Sequence, residues 1–256
     1  MLAVIRHIIW IMWFICAAIM VLPLCVMRPF NAANGRVFTT ILSPLSFLIY
    51  NFEQENRGLD KFHRYQGKII VSNHQENQDM IVFGSVISDN MITVGKKQMK
   101  MIPIFGWVYW LSDHLFIDRA NRKKALETLD LAKHKLITKG YNLWILAEGT
   151  RSRGRGFQKF KKGAFHIAVQ TGCPIVPVIT SSFHKCLNFN RWNAGKIIVE
   201  VLDPISVDGL TEKDIPQLMD KVWNVMNDGI NRLDRELAQE PRESKQGDVK
   251  NEVKPG

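Results

Sequence analysis

Residues 8–27 form a run of twenty positions without a charged side chain. An α-helix rises 1.5 Å per residue, so about 20 apolar residues reach across the roughly 30 Å hydrocarbon core of a bilayer. A helix that is apolar all round needs either lipid or a large protein interior to hide in. A cleavable signal peptide and a buried core helix compete with a retained membrane helix. The run is long, Arg6 is a weak basic lead, and Arg28-Pro29-Phe30 is not a small-residue cleavage site, so a retained membrane helix is expected. A loop over 28–36 leads to a second apolar run, 37–50, interrupted by Pro44. It is short for a span and reads as an interfacial or re-entrant helix, so that 1–52 make a membrane-attached helical hairpin. Arg6, Arg28 and Arg36 flank the first helix on both sides, and the positive-inside rule therefore does not orient it.

After Phe52 the composition changes. Glu53-Gln54-Glu55-Asn56-Arg57-Gly58 reads as a polar hinge, and beyond it short apolar strands alternate with helical patterns. Strands are expected over 68–72, 91–94, 115–117, 142–146, 175–180 and 196–202. Helices are expected over 80–87, 121–139, 162–171 and 214–238, with Gly140 and Gly172 as stops. This alternation predicts an α/β fold, a largely parallel sheet sandwiched by helices, over 53–239. The last stretch, 240–256, is polar and expected to be disordered.

The net charge is +10, which suits nucleic acid, an anionic membrane face or an anionic substrate without choosing among them. The four cysteines, Cys16, Cys25, Cys173 and Cys186, form no close pair, so neither a disulfide framework nor a zinc site is indicated. His184 with Cys186 is the nearest approach to a metal cluster, and a structural site takes four ligands. No metal is expected. Walker-type and dinucleotide-binding glycine patterns are absent from the sequence.

The apolar run Ile69-Ile70-Val71 ends in the polar turn Ser72-Asn73-His74-Gln75-Glu76-Asn77-Gln78-Asp79, after which a new apolar run begins. A histidine at a strand end, with a carboxylate to orient it, is the minimum equipment of a general base. On one continuous helix, residues five apart point roughly 140° away from each other. His74 and Asp79 can therefore meet only if the histidine lies in the turn and the aspartate opens the helix. Otherwise Asp79 is a helix cap and His74 a surface residue. Three further polar turns follow expected strands: Gly95-Lys96-Lys97, Asp118-Arg119 and Glu148-Gly149-Thr150-Arg151. Strand ends on one edge of a parallel sheet converge, which would gather these cations around one phosphate near His74. The run 151–162 carries six cations and no acid, with Phe157 and Phe160 between them. Single-stranded nucleic acid is a conceivable ligand for such a run. Beside an N-terminal membrane helix, anionic lipid headgroups fit better, and no nucleic acid is expected.

Taken together, these motifs resemble those of the glycerolipid acyltransferase family, in particular its 1-acylglycerol-3-phosphate acyltransferases. The N-H-x-x-x-x-D motif stands as Asn73-His74 with Asp79, and the F-I-x-R core as Phe116-Ile117-Asp118-Arg119. The F-P-E-G-T-R-S motif appears as Leu146-Ala147-Glu148-Gly149-Thr150-Arg151-Ser152, and a proline-bearing strand as Ile175-Val176-Pro177-Val178. Asp113 stands where the family's second motif is preceded by glycine, and Ala147 where its third has proline.

The resemblance implies transfer of a fatty acyl group to the 2-hydroxyl of lysophosphatidic acid, forming phosphatidic acid for phospholipid biosynthesis. An acyltransferase of the same fold with a different lysolipid acceptor is the alternative. In this reading His74 is the base and Asp79 its orienter. Lys97, Arg119, Glu148, Gly149, Thr150 and Arg151 form the acceptor site. No cofactor is implied beyond the co-substrate, an acyl thioester of coenzyme A or of acyl-carrier protein. Membrane lipid is the expected partner, and the implied location is a bacterial inner membrane, with the catalytic domain on the cytoplasmic side.

Overall fold

The computed structural model describes residues 1–63 and 67–240. Apart from Glu240, the expected disordered tail lies outside the described residues. A seven-stranded sheet organises the rest: β1 (Phe52–Arg57), β2 (Ile69–Ser72), β3 (Met91–Lys96), β4 (Leu115–Ile117), β5 (Asn142–Leu146), β6 (Ile175–Thr180) and β7 (Gly195–Val201). The strands are ordered β1-β7-β6-β2-β5-β3-β4. The run from β6 to β4 is parallel, and β7 pairs antiparallel with β6, so β7 and its parallel neighbour β1 are reversed. Every residue of the central strands β2 and β6 is buried. Helices cover both faces of such strands, which is why they read as continuous apolar runs and not as alternating ones.

One face is covered by α1 (Leu2–Met27), α2 (Ala33–Tyr50), α3 (Asp79–Gly84) and α4 (Phe105–Leu111). Their apolar side chains form one buried cluster with Ile70, Trp144, Val176, Val178, Ile197 and Val199 of the sheet. The other face is covered by α5 (Arg122–Lys139), α6 (Gly163–Thr171) and α8 (Ile215–Gln239), packed on Ile69, Val71, Leu143, Ile175 and Ile179. The short α7 (Phe183–Cys186) follows β6. Asn121 caps α5 by accepting from the Lys124 amide at 3.1 Å, and Gly140, at φ 62°, closes it in the left-handed conformation.

Helix α1 is long and apolar enough to cross a membrane. It buries a stripe, Trp10, Phe14, Ala17, Val21 and Cys25, against the domain and leaves Ile8, Met12, Ile15 and Ile19 exposed on the other side. Arg6, the expected flanking charge, is itself buried. Its guanidinium donates to the carbonyls of Phe189, Arg191 and Trp192 at 3.0, 2.7 and 2.6 Å. Those carbonyls satisfy a charge that would otherwise be costly to bury. Helix α2 starts earlier than the apolar run suggested and packs between α1 and α3. Trp10 donates to Ser46 at 2.9 Å, and a side chain on Gly84 of α3 would meet Thr39 of α2 at 3.1 Å.

The polar hinge expected after Phe52 is instead strand β1. An edge strand needs few apolar residues, and charged side chains there discourage pairing with another chain. Phe52 supplies the buried anchor, while Arg57 pairs with Glu55 and Glu236, and Lys196 with Glu55. The basic turn expected at 95–97 is in part the end of β3, which runs to Lys96 before a 3₁₀ turn over Lys97–Met101.

Candidate active site

Strand β2 delivers Ser72, Asn73 and His74 to the edge of the sheet. Ser72 accepts from the Trp144 indole at 2.6 Å. Buried Asn73 spans to β6, donating to the Thr180 carbonyl at 3.0 Å and accepting from the Thr180 amide at 2.9 Å. Gln75 donates to Thr180 Oγ1 and to the Ser181 carbonyl, and accepts from the Phe183 amide at 2.8 Å. The histidine thus sits between two residues clamped to the neighbouring strand, which leaves its own backbone little freedom.

His74 lies in the turn and Asp79 opens α3, so the two meet with Nδ1 and Oδ2 2.6 Å apart. The same oxygen accepts from the amides of Gln75 at 2.7 Å and Glu76 at 3.2 Å. Among the described residues, Asp79 Oδ1 is buried without a hydrogen-bond partner. Burial pushes the Asp79 carboxyl up, opposed by the hydrogen bonds from His74 and the two amides. With Nδ1 committed to Asp79, Nε2 is the ring nitrogen left for a substrate.

Glu148, at the end of the adjacent β5, ties the turns together. One oxygen accepts from the His74 amide at 2.5 Å and the other from the Gln158 amide at 2.9 Å. Burial pushes this carboxyl up to about 7 against those two bonds, and the Asp79 charge adds to the rise. Gly149 takes φ 69°, and a side chain there would crowd Lys161 at 3.1 Å.

Strands β2, β5, β3 and β4 are parallel neighbours, so the turns bearing His74, Glu148, Lys97 and Arg119 follow one another along one edge. At about 4.8 Å per strand, Lys97 and Arg119 are rooted two and three strands from His74. The long Arg119 side chain bridges back to donate to the Gly149 carbonyl, and Arg151 donates to Asn77 Oδ1 beside the histidine. Lys97 turns to Asp118 instead, at 3.1 Å, and Thr150 is exposed. The structure therefore gathers His74, Asp79, Glu148, Gly149, Arg151 and Arg119 closely and leaves Lys97 at the margin. His184 and Cys186 lie on α7, and no group of three His, Cys, Asp or Glu side chains suited to a metal occurs among the described residues.

Sequence reasoning assigned no role to Gln75, Asn77 or Gln78. Buried Gln78 contacts His7 Nε2 of α1 at 3.0 Å and Tyr50 Oη of α2 at 3.2 Å, linking the N-terminal helices to the base turn. The available signal was an unbroken polar stretch between two apolar runs. Asp113 adopts the left-handed conformation, φ 62°, that suits the glycine of the resembled motif. Its carboxylate pairs with Lys135 and, at 2.7 Å, with Lys139 of α5. Burial would raise that carboxyl, but the two lysines outweigh it and hold it below the usual range. The added charge is neutralised by α5.

A family model described as Acyltransferase matches residues 54–181. The chain belongs to the acyltransferase family. It is 41% identical over 170 residues to the 1-acyl-sn-glycerol-3-phosphate acyltransferase of Haemophilus influenzae, covering 66% of this chain and 71% of the relative. It is 35% identical over 239 residues to the Escherichia coli protein of the same name, covering 93% and 97%. The fold is similar to that in the crystal structure of the 1-acyl-sn-glycerophosphate (LPA) acyltransferase PlsC from Thermotoga maritima. There the TM-score is 0.68 at 22% identity, over 90% of this chain and 97% of that one.

Proposed function

We propose that this protein is a 1-acylglycerol-3-phosphate O-acyltransferase, which moves a fatty acyl group from an acyl thioester to the 2-hydroxyl of the acceptor and forms phosphatidic acid. The observation that carries the reading is the His74–Asp79 pair at 2.6 Å, at a strand end that also gathers Glu148, Arg119 and Arg151. The names of the relatives support the same reaction.

In this mechanism His74 Nε2 takes the proton of the 2-hydroxyl as its oxygen attacks the thioester carbonyl carbon. Asp79 holds the ring and stabilises the imidazolium, as the carboxylate of a triad does. Collapse of the tetrahedral intermediate breaks the C–S bond, and the leaving sulfur takes the proton from His74. The acceptor hydroxyl is itself the nucleophile, so transfer is direct and no cofactor takes part beyond the thioester of coenzyme A or acyl-carrier protein. Arg119 and Arg151 hold the acceptor phosphate, with Gly149 and Thr150 shaping its cradle, while Lys97, paired with Asp118, adds positive charge from the margin. Glu148 orders the site by joining the His74 and Gln158 backbones. Orientation of this kind accelerates a bimolecular reaction strongly.

The acceptor and product are lipids, and the exposed apolar face of α1 supports attachment to a membrane. We assign the catalytic domain to the cytoplasmic side of a bacterial inner membrane, with anionic headgroups beside Arg28 and Arg36.

The test is phosphatidic acid formation by the full chain in detergent, given lysophosphatidic acid and an acyl thioester, beside His74→Ala. Loss of a general base lowers the rate on the order of 10²–10⁴. Turnover that survives in the variant would remove His74 from the chemistry. Wild-type turnover with another lysolipid but not with the phosphate monoester would replace the acceptor.

A further inference from the structure

Helix α3 carries Asp79 at its first position, yet it is only six residues long. A helix this short does not hold itself in water, so its place in the fold comes from tertiary contacts. At its far end Gly84 lies against Thr39 and Ser43 of α2. At its near end the contacts run through Gln78, the residue immediately before Asp79. The Gln78 carbonyl accepts the first bonds of the helix, from the amides of Ile81 at 2.9 Å and Val82 at 3.1 Å. An N-cap side chain ordinarily turns back to accept from the free amides of its own helix. That of Gln78 forms no such bond and reaches α1 and α2 instead.

The donors and acceptors in that contact match one another. His7 Nδ1 lies 2.6 Å from the Ala3 carbonyl, which can only accept, so in the neutral ring Nδ1 carries the hydrogen and Nε2 is left as an acceptor. Gln78 Nε2 has two hydrogens, one for His7 Nε2 at 3.0 Å and one for Tyr50 Oη at 3.2 Å. Both partners are themselves fixed. Tyr50 is fully buried, with the rings of Phe189 and Trp10 4.8 and 6.2 Å away. Arg6, next to His7, holds three carbonyls of the 189–192 segment, and the amines of Met1 and Ala3 both donate to Asn190. The near end of α3 therefore hangs from a rigid polar anchor, one residue away from the carboxylate that orients the base. For stability alone an apolar residue would serve, because hydrogen bonds in the folded chain largely replace bonds to water. What the amide adds is direction, since bonds to two helices fix where its own backbone sits.

We propose that Gln78 is a positioning residue for acyl transfer, holding Asp79 against His74 by tethering the start of α3 to His7 and Tyr50. The inference rests on the proposed roles of His74 and Asp79 as base and orienter. In this role Gln78 acts through Asp79 and not on the substrate. The pair tolerates little displacement, because the oxygen 2.6 Å from His74 Nδ1 also serves the Gln75 and Glu76 amides. A helix start freed from its tether slides, and the imidazole loses its fixed orientation toward the acceptor hydroxyl.

The experiment uses the full chain in detergent and compares Gln78→Met, His7→Phe, His7→Gln and the double variant Gln78→Met/His7→Phe. Two quantities are read: the steady-state kinetics of acyl transfer, and the deshielded His74 Nδ1 proton in NMR spectra of protein with nitrogen-labelled histidine. Misplacement on the scale of an ångström costs about 10²-fold, so Gln78→Met and His7→Phe are expected to lower kcat by about 10- to 100-fold, with both KM values within about threefold. The Nδ1 proton should move upfield in both. His7→Gln keeps an acceptor for Gln78 and is expected to recover most of the rate lost in His7→Phe. The double variant leaves neither end of the Gln78–His7 bond unpaired, so it should regain stability to denaturant while kcat stays low. Activity that returned with stability would make Gln78 a packing residue and overturn the proposal. Full kcat in folded Gln78→Met, or a raised KM at unchanged kcat, would overturn it as well. If the wild type transfers no acyl group, the Nδ1 proton still reads the tether. Its displacement in Gln78→Met would then uphold the positioning and strike only the reaction, whereas an unmoved proton would overturn the positioning.

Discussion

Asp79 and Glu148 are both buried carboxyls of one site, and their surroundings set them to different tasks. Asp79 spends a single oxygen on three donors, one of them the base itself, whereas Glu148 divides its oxygens between two backbone amides. Glu148 therefore holds the turns together without touching the imidazole. Its carboxyl is raised from an ordinary 4.5 to about 7 by burial, so the folded protein binds that proton more tightly than the unfolded chain does. The associated stability is fully present below pH 4.5 and is lost as pH rises through about 7, a change of at most about 3 kcal/mol. Glu148→Gln removes this titration. Denaturant unfolding of both chains between pH 4 and 8.5 should show the variant gaining relative to wild type as pH rises. Parallel curves would show that the ionised carboxylate is already fully compensated by its two amides.

At the scale of elements, the strands and helices nearest the chemistry were legible because their signals are local. Strand β2 is an unbroken apolar run stopped by a polar turn, and α5 carries both an asparagine cap and a glycine stop. The meeting of His74 with Asp79 was legible only conditionally, since it depends on where α3 begins. What the sequence hid is decided by packing partners distant in the chain. β1 is a strand because β7 is there to pair with it, and its own residues read as a hinge. α4 is short, begins beyond Pro103 with Ile104 at φ 65°, and carries no periodic signal. Arg119 reaching Gly149, and Lys97 turning away to Asp118, depend on side-chain paths that no spacing encodes. The close approach of α2 to α3 belongs with these hidden contacts and has a direct test. Gly84 sits at that crossing, and the same helix starts with Asp79. Gly84→Ala requires neighbours at 3.1–3.2 Å to yield by a few tenths of an ångström, a small cost. Gly84→Leu has no room, and overpacking of this kind costs typically 1–3 kcal/mol. Gly84→Leu should lower both the thermal midpoint and kcat by tilting α3 and moving Asp79 from His74, with the acceptor KM less affected. Loss of stability with full specific activity in the folded fraction would mean that α3 is not the lever that sets the pair.

For the molecule as a whole, the N-terminal helices do two jobs that a truncation would confound. They complete one of the two layers on the sheet, because Phe14, Ala17, Phe38 and Leu42 share a buried cluster with Ile70, Trp144 and Val178. Removing residues 1–50 would bare that face, and aggregation of the remainder would say nothing about membranes. The structure separates the jobs by side: Trp10, Phe14 and Val21 face the domain, while Ile8, Met12, Ile15 and Ile19 are 55, 63, 38 and 51% exposed. Changing those four to glutamine leaves the packed stripe, the Gln78 contacts and the site intact. An apolar side chain fully removed from water contributes roughly 1.5–3 kcal/mol. Four that are already partly covered should together contribute about 4 kcal/mol, on the order of 10³-fold in partitioning to lipid. Sedimentation with vesicles should show the quadruple variant remaining in the supernatant. Its turnover on acceptor dispersed in detergent should match wild type, and its turnover on acceptor held in bilayers should fall. Cosedimentation unchanged by the four substitutions would place the bilayer contact elsewhere, and with it the reason for carrying a helix so apolar on its outer side.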